Sequence, residues 1–187
     1  MKKVFIVHGF EGSPNGGWRP WLMSELALMD IYACALPMPS PEKPILSEWV
    51  NTIREAVKEP NEEIFLVGHS LGVPAILRYL ESLPEGIKIG GAFLVSGPLH
   101  PIVDKEYESI HNFLVPSFRF PHIRNVCKNF VVLHGDDDPV VKINNAEDLS
   151  YDLSCNLIVI PNGKHLNGSS GWYQFSQLLK VIKETIL

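Results

Sequence analysis

Ile64-Phe65-Leu66-Val67-Gly68-His69-Ser70-Leu71-Gly72 joins an unbroken apolar run to a helix-spaced one through a serine bracketed by glycines. The apolar run is short and rich in β-branched and aromatic residues, which predicts a strand covered on both faces. Behind it Leu71, Ala75, Ile76, Leu77, Leu80 and Leu83 recur at steps of three and four. That spacing predicts a helix over 71–83. G-x-S-x-G therefore sits on a strand–turn–helix corner, the setting that gives the motif meaning. Such a corner strains the backbone, and side chains larger than hydrogen at the flanking positions would clash. The turn lifts the Ser70 hydroxyl above the sheet edge. The helix start presents the Leu71 N–H to any oxyanion formed there.

Outward from this corner, five further apolar runs of the same kind occupy residues 4–7, 31–36, 92–95, 130–133 and 157–160. Helical spacing separates them over 18–28, 47–58 and 143–153. A last stripe of Trp172, Phe175, Leu178, Leu179, Ile182 and Ile186 closes the chain. Alternating strands and helices predict an α/β protein: a three-layer α/β/α sandwich of about six mostly parallel strands. Right-handed crossovers place all strand C-termini on one edge, where ligands bind. The Pro-rich stretch 37–44 reads as a stiff surface loop after the second strand. The connection 96–129, long and carrying Phe113, Phe118 and Phe120, reads either as a short cap over the site or as a plain crossover.

The chain has 187 residues, which predicts one domain over 1–187. With 45% hydrophobic and 20% charged residues it has the composition of an ordinary globular protein. A net charge of −5 without a basic stripe argues against nucleic acid as a partner. No apolar run reaches membrane-spanning length, and the run before His8-Gly9 is too short for a signal peptide. Cys34, Cys127 and Cys155 are odd in number, far apart and without metal-ligand spacing. Neither a disulfide framework nor a metal site is expected, and a cytoplasmic location is the simplest reading.

A serine hydroxyl needs a base, and on this corner the partners follow in the order acid, then histidine. The run 130–133 leads into His134-Gly135-Asp136-Asp137-Asp138-Pro139, and the run 157–160 leads into Pro161-Asn162-Gly163-Lys164-His165. Both blocks fall past strand ends on the Ser70 edge. Of seven histidines only His165 follows the acid. His69 is expected to point away from Ser70, His8 and His134 to be satisfied turn or core residues, and His100, His111 and His122 to lie at the surface or in the cap. Of the three aspartates Asp138 is preferred because Pro139 fixes the chain beside it, with Asp136 and Asp137 left to turn or cap roles. His8-Gly9-Phe10-Glu11-Gly12 ends the first strand and is expected to supply a second oxyanion donor, the Phe10 N–H. Neither a P-loop nor a dinucleotide fingerprint is present, so no cofactor is expected.

Together these blocks resemble the α/β-hydrolase superfamily. Within it they are similar to the small branch that contains retinoblastoma-binding protein 9 and the YdeN-like serine hydrolases. The resemblance runs from Val4-Phe5-Ile6-Val7-His8-Gly9 to Gly163-Lys164-His165-Leu166-Asn167. It implies Ser70 as nucleophile, Asp138 as acid, His165 as base, and a minimal cap. Lys142 stands where many relatives have Pro. Lys164, a cation, directly precedes the histidine. The pocket-protein motif L-x-C-x-E is not met by Leu153-Ser154-Cys155-Asn156-Leu157, so that partner role is not carried over.

The expected function is a carboxylesterase-like serine hydrolase that cleaves a small ester, thioester or amide through an acyl-enzyme on Ser70. The Phe-rich connection hints at an apolar acyl or alcohol group. Two alternatives use the same sequence: acyl transfer to an acceptor other than water, and a protein-interaction module whose surface is built from the Pro-rich loop and the aromatic segment 113–120.

Overall fold

The computed structural model describes residues 1–102 and 105–187. Six strands form one parallel sheet: β1 (Lys3–Val7), β2 (Tyr32–Ala35), β3 (Ile64–His69), β4 (Gly91–Val95), β5 (Phe130–Gly135) and β6 (Asn156–Ile160). Their order is β2-β1-β3-β4-β5-β6. The chain steps outward from β1 to β2, then crosses back past β1 to β3. That reversal opens a crevice at the C-terminal ends of β1 and β3, where open α/β sheets bind their ligands.

Period-two alternation sorts the strand residues between two cores. Phe5, Val7, Ile64, Leu66, Ala92 and Leu94 face one core. Val4, Ile6, Phe65, Val67, Phe93 and Val95 face the other. Helices α2 (Leu46–Val57), α3 (Gly72–Glu81), α5 (Phe120–Val126) and α6 (Asn144–Leu153) cover the first; α1 (Arg19–Ala27) and α7 (Ser176–Ile186) cover the second. The central strand β3 is buried along its whole length, whereas the edge strand β6 leaves Val159 exposed. The apolar stripe read over 71–83 becomes α3. It is buried almost all round, with Val73, Ala75, Ile76, Leu77, Tyr79 and Leu80 out of water. Each large apolar side chain so buried contributes on the order of 2 kcal/mol.

The connection between β4 and β5 serves both readings offered for it. A 3₁₀ turn (Lys105–Ile110) leads into α4 (His111–Leu114), and α5 makes the crossover. Tyr107 of the turn stacks edge-on against Phe10, 5.9 Å between ring centres, and so reaches the crevice. Residues 103 and 104 of this connection lie outside the described residues. Two of the phenylalanines of 113–120 are packed inward rather than lining the Ser70 side of the molecule. Phe113 is fully buried against Trp49, and Phe118 is 8% exposed, stacked beneath the Arg78 guanidinium. The Pro-rich loop is likewise packed: Met38 is buried, and the Pro39 carbonyl accepts the Trp49 indole N–H at 2.8 Å. Among the described residues no helix is long and apolar enough to cross a membrane.

Candidate active site

Ser70 stands at the junction of β3 and α3 with φ +52°, the left-handed conformation that non-glycine residues rarely adopt. Its amide donates to the Val95 carbonyl, which ties the corner to β4. The neighbouring glycines are there because no Cβ fits. A Cβ on Gly72 would lie 2.2 Å from the Val7 carbonyl oxygen, and one on Gly68 would lie 2.9 Å from that of Gly72. Gly9 does the same service across the crevice, where a Cβ would meet that of Ser70 at 2.7 Å. The β1 loop thus lies directly against the serine. Among the described residues neither the Phe10 N–H nor the Leu71 N–H donates a hydrogen bond. The Leu71 amide follows Ser70 in the chain, and the Phe10 amide belongs to the loop that lies against it.

His165 and Asp138 are brought together. The His165 Nδ1–H donates to Asp138 Oδ2 at 2.8 Å, and Asp138 is fully buried. Its other oxygen, Oδ1, accepts from the amides of Val140 and Val141 at 2.9 and 3.0 Å. Three donors thus hold one carboxylate in a fixed orientation. Ser70, His69 and His165 line one cleft of about 270 Å³ together with Gly9, Phe10 and Arg19. Among the described residues no hydrogen bond joins Ser70 Oγ to the His165 ring.

The loop that carries His165 is strained and clamped. Asn162, Lys164 and Leu166 all have left-handed φ, at 53°, 49° and 48°. Three side-chain N–H groups hold its carbonyls: Trp172 on Gly163 at 2.9 Å, His69 on His165 at 2.9 Å and Trp18 on Leu166 at 2.8 Å. Asp136 and Asp137 hold it from the other side, accepting from the amides of Asn162 and Lys164. These two aspartates are cross-loop anchors rather than local turn residues. Lys164 itself is exposed and enters the site only through its backbone.

The expectation that His69 points away is corrected. Its ring lies edge-on to that of His165, 5.0 Å between centres. The cause is visible in β3: Phe65 and Val67 face the α1 side, and two residues on His69 faces it too. Of the others, His8 Nδ1 pairs with the Gly9 carbonyl and His134 donates Nε2–H to the Val141 carbonyl, which leaves His134 Nδ1 buried without a partner. His100 lies at the surface beside Asp148, while His111 and His122 hold the Ile102 and Leu83 carbonyls.

Burial pushes His69 well below its ordinary pKa, helped by the facing His165 ring. Burial likewise lowers His8, where the Arg19 cation also acts, and His134. In the unfolded chain each ring takes a proton near pH 6.5, whereas in the fold it stays neutral until more acid is added. Acid below that pH therefore protonates the unfolded state first, and stability falls. Between the ordinary and the folded pKa, each ring removes up to about 1.4 kcal/mol per pH unit. Urea midpoints should be level above about pH 7 and fall steeply below about pH 6.5. A midpoint that does not change down to about pH 5 would contradict the neutral, buried assignment.

A family model described as serine hydrolase matches residues 4–184. The chain belongs to the serine hydrolase family. YdeN of Bacillus subtilis (strain 168) is 33% identical over 171 residues, covering 91% of this chain and 89% of that protein. The crystal structure of the ydeN gene product from B. subtilis superposes with a TM-score of 0.94 at 31% identity, over 99% of this chain and 98% of the other. Serine hydrolase RBBP9 of Rattus norvegicus is 24% identical over 187 residues, 98% of this chain and 95% of its own. This serine hydrolase thus has the α/β-hydrolase fold expected from its sequence, with a six-stranded parallel sheet. Arg19 is a residue of its cleft that the sequence does not mark, and His69 lines the same cleft against expectation.

Proposed function

We propose that this serine hydrolase cleaves a small ester or thioester through an acyl-enzyme on Ser70, with His165 as base and Asp138 as its orienting acid. One observation carries the reading: a buried carboxylate with three donors holds the His165 Nδ1–H, leaving Nε2 as the acceptor in the cleft that Ser70 lines. Ser70 Oγ attacks the acyl carbon and its proton passes to His165 Nε2. The carbonyl oxygen becomes an anion held by the Phe10 and Leu71 amides. His165 then gives the proton to the leaving oxygen or sulfur as its bond to the acyl carbon breaks. Water attacks the acyl-enzyme, its proton goes to His165 and on to Ser70 Oγ, and the carboxylic acid departs. The polar lining of the cleft supports a small substrate rather than a long acyl chain.

The test is covalent capture. A fluorophosphonate reagent should add once per chain with loss of fluoride. Peptide mass mapping should then place the adduct on the peptide holding Gly68-His69-Ser70-Leu71-Gly72. An unmodified chain, or an adduct mapped to another residue, would remove the nucleophile assignment.

A further inference from the structure

Arg19 is the cation of this cleft, and nothing in the reaction above uses it. It is 6% exposed. Its Nε donates to the Ser13 carbonyl at 2.9 Å. Among the described residues Nη1 and Nη2 donate no hydrogen bond and no carboxylate lies within salt-bridge distance. Glu11, the acidic residue lining the same cleft, is exposed and makes no ion pair with it. A buried guanidinium is costly without an anion, and proteins rarely keep one. Burial lowers its pKa to about 10, so it remains charged at neutral pH.

The surroundings are shaped for it. A Cβ on Gly16 would lie 2.5 Å from Arg19 Nη2, so the glycine leaves room for the fork. Arg19 lines the same cleft as Ser70, His69 and His165, and its charge contributes to lowering the pKa of His8 and His69. Both rings are held neutral, so neither competes for an anion. Arg19 is also the first residue of α1, whose N-terminal end adds positive potential and whose first turn contains no acidic residue. The whole chain carries a net charge of −5, so this cation is not part of a general basic surface.

We propose that Arg19 is a specificity residue that binds a second, non-reacting carboxylate on the substrate, so that the preferred substrates are half-esters or half-thioesters of short dicarboxylic acids. The inference rests on the acyl-enzyme reading above, because the carboxylate must be held while Ser70 attacks the other end. A planar carboxylate takes two parallel N–H bonds from the free edge of the guanidinium. A neutral ester of equal length leaves that edge of a guanidinium only 6% exposed without a partner.

The test compares p-nitrophenyl monoesters of glutaric and adipic acid with p-nitrophenyl pentanoate and hexanoate, with Ser70→Ala as the background for spontaneous cleavage. The ratio of kcat/KM for charged over neutral ester should be about 10–100-fold in the wild type and fall to near one in Arg19→Gln. Arg19→Lys should recover part of it. A wild-type ratio near one, or an equal ratio in wild type and Arg19→Gln, would overturn the assignment and leave the hydrolase reading intact. Absence of any Ser70-dependent turnover would instead sink the hydrolase reading. Calorimetric titration of glutarate into Ser70→Ala, with and without Arg19→Gln, then decides the anion site alone: Arg19-dependent binding supports it, and no binding overturns it. If Arg19→Gln does not fold, inhibition of the wild type by glutarate is compared with that by its neutral diamide, and equal inhibition overturns the assignment.

Discussion

Ser70→Ala is expected to lower kcat on p-nitrophenyl acetate by about 10⁶-fold while leaving the urea midpoint within about 0.5 kcal/mol of the wild type. The two halves of this expectation come from different atoms. In the proposed mechanism activity depends on Oγ, which forms and breaks the acyl bond. Without it only water attack at the oxyanion amides remains, and that residual catalysis is small. Stability depends on the backbone, and Ala changes none of it. The left-handed φ is kept, the amide still donates to Val95, and the Cβ still packs against Gly9. A side chain that the fold barely needs, on a corner the fold strains to make, is the signature of a functional residue. Equal rates for the two proteins would end the proposal, whatever their stabilities.

How much of this was legible before the fold was known depends on how local each signal is. The Ser70 corner is five consecutive residues, and its strand and helix are contiguous with it, so sequence alone carries it. His165 and Asp138 are legible by order along the chain, because each falls just past an apolar run. Asp136 and Asp137 were misjudged because their partners, Asn162 and Lys164, become neighbours only through the register that pairs Gly135 with Ile160. No local pattern announces that register. His69 was legible in principle: the alternation through Phe65 and Val67 already sets its face. Arg19 was not, since Trp18-Arg19-Pro20 reads as the ordinary start of a surface helix. Only burial without a counter-charge marks it. The phenylalanines of 113–120 misled in the opposite sense, because aromatic residues in a long connection fill the core as readily as they line a pocket.

Asp138→Asn is the substitution that separates the three adjacent aspartates, and it should lower kcat by about 10⁴-fold with the cleft still formed. The amide oxygen of Asn can take over from Oδ1 and accept from Val140 and Val141, so the turn survives. The amide nitrogen then stands where Oδ2 was, 2.8 Å from His165 Nδ1. Two donors cannot face each other, so the ring shifts its proton to Nε2 and presents Nδ1 as the acceptor. Nε2 is then no longer free to take the Ser70 proton, and the imidazolium that would form has lost the buried negative charge beside it. Asp136→Asn and Asp137→Asn make a different change. Each still offers an oxygen to the amide it holds, Asn162 or Lys164, and each should keep kcat within about threefold of the wild type. The three kcat values, measured on one ester at one pH, therefore rank the aspartates by role. A collapse in Asp137→Asn with Asp138→Asn still active would move the acid one residue along the chain. It would also contradict the three-donor geometry from which the proton path was argued.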